Sequence, residues 1–271
     1  MHVLYTAAQH GDVQLATSVL GTMELEGIAR EEHHYAALVE AYARSGDFRK
    51  LFTTISKMRQ NGPAPSPSTI SCAIMSVASS ANSASSALSD LQHQHDTASE
   101  PVDIESFHLL LAAFIRVGDL EGALNLYKDR PELLPNFNMR PNTHTFNLLL
   151  AGCAVAGQTE VSLFLVAEMK AIRVLPDQRT YGELVKTCLN APFVPGEQKP
   201  HALALLYMEE ASARGLALSP DIYTELALKC AEEDDMESSL AVFQEMDHHG
   251  WDSAEGRQKL HRKWRETTPS L

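Results

Sequence analysis

A repeat of about 35 residues constrains this chain more than any other feature. An aromatic or aliphatic residue returns at Tyr35, Ile70, Phe107, Phe146, Tyr181 and Tyr223, in steps of 35, 37, 39, 35 and 42. Eleven residues after four of these openers stands a turn residue: Gly46, Gly118, Gly157 and Asp234. Twelve residues after a turn residue comes a methionine, from Gly11 to Met23, Gly46 to Met58, Gly157 to Met169 and Asp234 to Met246. Three offsets held in step along one chain mean an array of like units, because a fixed period of this size is the mark of solenoids and related repeats.

Each unit reads as a helical hairpin. In the second, Tyr35, Leu38, Val39 and Tyr42 fall at 0, +3, +4 and +7, one face of a helix. Gly46 and Asp47 interrupt it, and Leu51, Phe52, Ile55 and Met58 form a second stripe that Asn61, Gly62, Pro63 and Pro65 close. The fifth unit repeats the plan with Phe146, Leu149, Leu150 and Cys153, then Gly157, then Val161, Leu165 and Met169. A lone hairpin cannot bury both faces, so neighbouring units must stack. The fold class is therefore all-α, a superhelical solenoid of about seven helix-turn-helix hairpins.

The array is expected over residues 1–252, followed by a basic helix or tail at 253–271 that holds Arg257, Lys259, Arg262, Lys263 and Arg265. The third unit, 67–103, is Ser- and Ala-rich. There Ala81 falls at the turn position, and Ala87, Leu88 and Leu91 predict a short, thin helix rather than a linker. Insertions are read at Pro131–Asn138 and at Ala191–Lys199, the latter within the hairpin turn of the sixth unit. Met1 falls one residue after a missing opener, which leads us to expect an excised or processed fragment whose targeting segment is not in this sequence.

These residues resemble the pentatricopeptide repeat family. Its unit runs roughly Tyr-Asn-x-Leu-Ile, Gly, Ala-x-x-Leu-Phe-x-x-Met, Gly-x-x-Pro-Asp. Phe146-Asn147-Leu148-Leu149, Gly157, Phe164, Met169 and Pro176-Asp177 resemble it, as do Tyr35, Gly46, Phe52, Met58, Gly62 and Pro65. Phe107, Gly118, Ala123, Tyr127 and Pro141-Asn142 follow it after an insertion. The tetratricopeptide alternative requires an early Trp followed by Leu-Gly, and neither Trp251 nor Trp264 has that setting.

The resemblance implies reading of single-stranded RNA, one base per repeat. By that resemblance the residue after the opener and the last residue of the unit face the base. The pairs are Ala36 with Ser66, Ser71 with Asp103, His108 with Asn142, Asn147 with Asp177, Gly182 with Ser219, and Thr224 with Ala254. Asn147 with Asp177 resembles the family's uracil-preferring pair, and Ser71 with Asp103 its guanine-preferring pair. Ala36 and Gly182 offer no side chain that could read a base. A basic residue nine after the opener would contact phosphate; here only Arg44 and Arg116 qualify, the other positions being Ser79, Val155, Asn190 and Glu232. The resemblance further implies a mitochondrial, RNA-processing, RNA-stability or translation role, and no DNA partner. The alternative is a protein-interaction scaffold, for a mitochondrial ribosome or a respiratory complex, that holds a protein segment in its concave groove.

Composition weighs on the choice. The formal net charge is −13, which opposes non-specific attraction to a polyanion. The first helices of units two to five are near neutral, and the acid concentrates in second helices, turns and loops. No GxSxG, HExxH, P-loop or glycine-rich dinucleotide turn occurs, so no catalytic residue and no cofactor are assigned. The four cysteines form no CxxC pair; Cys153, Cys188 and Cys230 each lie seven after an opener and read, with Cys72, as buried, reduced thiols. His33-His34, His93/His95 and His248-His249 read as surface residues rather than metal ligands, and Asp234-Asp235 as a solvated turn. No apolar run is long enough to span a membrane.

Overall fold

The computed structural model describes residues 2–98, 104–129, 140–192 and 199–267, all α-helix and connecting turns among those residues. The chain divides into two compact units, Met1–Arg140 and Pro141–Leu271. The first holds α1 (His2–His10), α2 (Val13–Leu25), α3 (Glu32–Ser45), α4 (Phe48–Asn61), α5 (Pro67–Val77), α6 (Ala81–Ala98), α7 (Ile104–Arg116) and α8 (Leu120–Lys128). The second holds α9 (Thr143–Ala156), α10 (Thr159–Ala171), α11 (Gln178–Asn190), α12 (Pro200–Ala213), α13 (Pro220–Glu232), α14 (Met236–His248) and α15 (Ala254–Thr267). Consecutive helices pair as hairpins. First helices also stack in sequence, α1 on α3, α3 on α5 and α5 on α7 in one unit, and α9 on α11, α11 on α13 and α13 on α15 in the other.

The hairpin turns are built by local chemistry. Gly11, Gly46, Gly118 and Gly157 have φ of 66°, 73°, 81° and 63°, and Asp234 has 62°. This left-handed step ends the first helix where glycine carries no Cβ penalty. Asp follows at three of these glycines and after Asp234. The carboxylates of Asp12, Asp47, Asp119 and Asp235 accept from the backbone N–H three residues on and start the second helix. First helices begin with caps of their own: Asn142 with Thr145 and Asp177 with Thr180 are reciprocal capping boxes.

The expected stripes form the core. Phe107, Phe146, Tyr181 and Tyr223 are buried, as are Leu51, Phe52, Ile55 and Met58. Cys153, Cys188 and Cys230 are buried free thiols, and their apolar surroundings push each up to about 12.

Several expectations need correcting. Tyr35 and Ile70 are only half-buried, unlike the other openers. In the second unit His34, one residue earlier, is the buried one; its Nδ1 accepts from Glu31 N (2.9 Å), so it is a capping residue and not a surface histidine. Phe164 is 59% exposed, because five residues on a helix place it about 140° from Met169. Val166, three before Met169, fills the site that Phe243 fills before Met246. Ala81 begins α6 rather than forming the turn, and α6 runs to Ala98, longer than its thin stripe suggested. Cys72 is half-buried. Asp235 does more than face solvent, since its Oδ2 lies 3.4 Å from Nε2 of the buried His201. The Pro131–Asn138 insertion, and the side chains of His93 and His95, lie outside the described residues.

Candidate nucleic-acid interface

The junction between the fifth and sixth repeats is built around Asn147. This side chain is only 2% exposed, on α9 one residue after the opener. Its Nδ2 donates to Asp177 Oδ1 (3.0 Å) and approaches Oδ2 (3.3 Å). Its Oδ1 accepts from Thr180 Oγ1 (2.7 Å). Asp177 Oδ1 also accepts from Thr180 N (2.8 Å), which caps α11. Burial alone would raise the Asp177 carboxyl, but the Thr180 N–H, the Asn147 amide and the Thr180 hydroxyl outweigh it and hold it below its ordinary value. The two residues read as a base-facing pair are thus brought together, but they bond each other. Asp177 stays exposed and Asn147 does not.

Asp177 also borders a cavity of about 420 Å³ with Gly182 and Ser219. Gly182 keeps it open, since a Cβ there would come within 2.8 Å of Ile222 Cδ1, a lining atom. Arg179, Glu183 and Lys186 complete the wall. Glu183 Oε1 lies 3.7 Å from Arg179 Nε and 3.9 Å from Lys186 Nζ. Arg179 and Lys186 were not singled out from the sequence. The signal was present, because 179, 182, 183 and 186 follow the i, i+3, i+4, i+7 rule of one helix face.

The remaining candidates are placed unevenly. Ser71 and Arg116 meet in a cavity of about 600 Å³, with Ile70, Ile74 and the Arg59–Glu105 ion pair (3.0 Å). Their partner Asp103 lies outside the described residues. Arg44 is half-exposed, yet it is held by Glu40 at 2.9 Å, which weakens it as a phosphate contact. His108 is buried beside Phe107, while Asn142 caps α9 in the other unit. Thr224 Oγ1 donates back to Pro220 O (2.9 Å), so its hydroxyl is occupied within α13. Ala254 is not the last residue before a helix but the first residue of α15. Ser253 precedes it, with an Oγ that accepts from Arg257 Nε (2.7 Å). Ala36 has no side chain to offer. Its partner Ser66 caps α5 by accepting from Thr69 N (3.3 Å), and Ser66 N donates to Glu32 Oε1 (3.0 Å). Glu32 is a residue the sequence reading missed.

Comparison with known proteins agrees with the hairpin geometry and the spacing. A family model described as "Pentatricopeptide repeat-containing protein" matches residues 1–130, and another, "Pentatricopeptide repeat domain", matches 134–191. The chain belongs to the pentatricopeptide repeat family. Among relatives, this pentatricopeptide repeat chain is 28% identical over 141 residues to human "Pentatricopeptide repeat-containing protein 1, mitochondrial", covering 50% of this chain and 19% of that protein. It is 25% identical over 183 residues to a pentatricopeptide repeat-containing protein of Arabidopsis thaliana, covering 65% of this chain and 30% of that one. The matches therefore span less than a third of either relative. Among solved structures, the pentatricopeptide repeat protein PPR10 in complex with an 18-nt psaJ RNA element aligns with TM-score 0.44 and 18% identity, over 99% of this chain and 43% of that one.

No helix among the described residues is long and apolar enough to cross a membrane, and no described group of three or more His, Cys, Asp or Glu could hold a metal ion.

Proposed function

We propose that this pentatricopeptide repeat chain binds single-stranded RNA, and that it acts in mitochondrial RNA processing, stability or translation. The observation that carries the reading is the cavity between Asp177, Gly182 and Ser219. Three residues assigned to base readout border one space, with the cations of Arg179 and Lys186 on the same wall. Such a space combines acceptor oxygens for a base edge with charge for the flanking phosphates. The mitochondrial part rests on the relatives whose names carry that word. Fluorescence anisotropy with random and U-rich single strands at two salt concentrations tests it. Binding that weakens with salt and favours some sequences is expected. No binding at protein concentrations on the order of tens of micromolar in low salt would end the RNA reading, since even non-specific binders associate in that range.

One observation favours a second reading, a protein-interaction scaffold. Leu163, Phe164, Leu206 and Leu240, all on second helices of the Pro141–Leu271 unit, are 45–59% exposed. Leu163 also borders a cleft of about 200 Å³ with Val166, Pro176, Leu184 and Tyr207. Exposed apolar side chains on three successive second helices suit contact with a protein partner.

A further inference from the structure

We propose that Glu32 selects the base at the second repeat and favours guanine there. The inference rests on the RNA reading above. Its basis is a geometry found in both units of the chain. In the fifth repeat, Asn147 bonds the cap residue and the threonine three residues later at the start of the next first helix: Asp177 at 3.0 Å and Thr180 at 2.7 Å. In the second repeat the corresponding position is Ala36, which cannot do this. Glu32 does it instead. Its Oε1 accepts from Ser66 N (3.0 Å) and from Thr69 Oγ1 (2.6 Å), again the cap residue and the threonine three later.

Glu32 can take this place because it sits four residues before Ala36, one turn earlier on the same face of α3. Its longer side chain spans the extra distance to α5. The Thr69 hydroxyl holds the carboxyl below its ordinary value, helped by the Ser66 N–H and against some desolvation, so the group is anionic at neutral pH.

The replacement changes what the position presents. Asn147 is buried with both amide atoms engaged, whereas Glu32 is only half-buried. Both bonds to Glu32 fall on Oε1. The Ser66 hydroxyl beside the carboxyl also lowers its pKa, and a carboxylate has about four acceptor sites, so Oε2 keeps room for a donor from outside. An ionised carboxylate accepts and cannot donate. The base edge it suits carries adjacent donors, which on guanine are N1–H and N2–H₂. Uracil suits it least, because carbonyls flank its single N3–H. Ser66, previously paired with Ala36, becomes the residue that holds Glu32 in place.

Glu32→Gln is a sharp test. Glutamine keeps an acceptor oxygen for Ser66 N and Thr69, so the fold-side bonds survive, but the outward atom becomes an amide donor. The experiment uses the full chain and a uridine oligomer of about ten nucleotides, long enough for one base per repeat. A single guanosine is walked along it, with binding followed by fluorescence anisotropy. For the wild type, a guanosine position next to the one assigned to Ser71 and Asp103 should bind roughly tenfold more tightly than uridine, the discrimination of a good base-edge contact. In Glu32→Gln that advantage should vanish at that position alone, with helical circular dichroism unchanged. An identical guanosine profile in both proteins overturns this inference and leaves RNA binding intact. Failure of the wild type to bind any of the strands overturns the RNA reading itself, and this inference with it.

Discussion

Asn147 is at once a candidate reader and a structural bolt. Removing its amide takes a charge-assisted N–H from Asp177 and one of two acceptors from the buried Thr180 hydroxyl, which keeps Asp177 Oδ1 at 3.0 Å, and a hydrogen bond to a charged group is among the stronger ones. Asn147→Ala should therefore lower stability by about 1–3 kcal/mol in urea titration, apart from any effect on RNA. The pH dependence separates the two roles. The folded Asp177 carboxyl lies below its ordinary value, so its contribution is complete above the unfolded pKa and is lost as pH falls through the folded one. The wild type should lose stability below about pH 4 more steeply than Asn147→Ala, which has already lost one of the bonds that depress this group. Parallel acid limbs would show that the amide does not stabilise the ionised form. A second residue-scale test concerns Arg173, a non-glycine residue at φ 61° four positions after Met169, where Gly27, Gly215 and Gly250 serve the same turn elsewhere. Arg173→Gly should raise stability by roughly 0.5–1 kcal/mol, the left-handed strain relieved less the added chain entropy of glycine. An unchanged or lower urea midpoint would mean that the strain is not felt.

At the scale of elements, the equivalent turns are not equally tolerant. A Cβ on Gly46 would meet nothing within 4 Å, whereas on Gly157 it would lie 2.5 Å from the carbonyl oxygen of Asn190. Asn190 in turn donates through Nδ2 to Ala154 O (2.8 Å), so the end of α11 sits on the end of α9. Gly46→Ala should cost about 1–2 kcal/mol, the ordinary left-handed penalty. Gly157→Ala should cost roughly 1–3 kcal/mol more, because backbone must move; equal losses by thermal denaturation would contradict the packing of α9 against α11. This pair also shows what the sequence could reveal. The glycine at each turn and the stripe beside it were legible because backbone conformation and helical period are local properties. That Gly157 is pinned by the next repeat was not, since it depends on how closely two first helices approach. The same division holds in the site. The pairing of Asn147 with Asp177 followed from the family resemblance, but Glu32 was invisible. Its role arises only because Ala36 leaves a place that a residue one turn away is long enough to fill.

At the scale of the molecule, the chain's thiols and its charge set two measurable limits. Cys153, Cys188 and Cys230 are buried and pushed up to about 12, while Cys72 is half-buried. Burial raises the Cys72 thiol too, but it is the most open of the four, so a thiol reagent at pH 8 should label Cys72 ahead of the other three in the native protein and all four cysteines after denaturation. Rapid native labelling of the other three would mean that the stacked first helices open readily.

The charge argument bears on RNA directly. The formal net charge is −13, and of the two basic residues at the phosphate-facing position Arg44 is already held by Glu40 at 2.9 Å. Arg116 is exposed and borders the cavity with Ser71, and Arg179 and Lys186 border the other cavity while sharing Glu183. Each fully neutralised phosphate contributes about −0.9 to the slope of log K against log salt on a duplex and about −0.7 on a single strand. With Arg116, which has no ion pair among the described residues, and two cations that share Glu183, the slope for single-stranded RNA should lie between about −1 and −2. Arg116→Ala should make it shallower by about 0.7, and Arg44→Ala by much less, because the Glu40 pair leaves little counterion to release. The two substitutions are a matched test of whether local pairing or sequence position governs phosphate contact. Equal losses would mean that Arg44 abandons Glu40 for RNA, and that position within the repeat outweighs the ion pair.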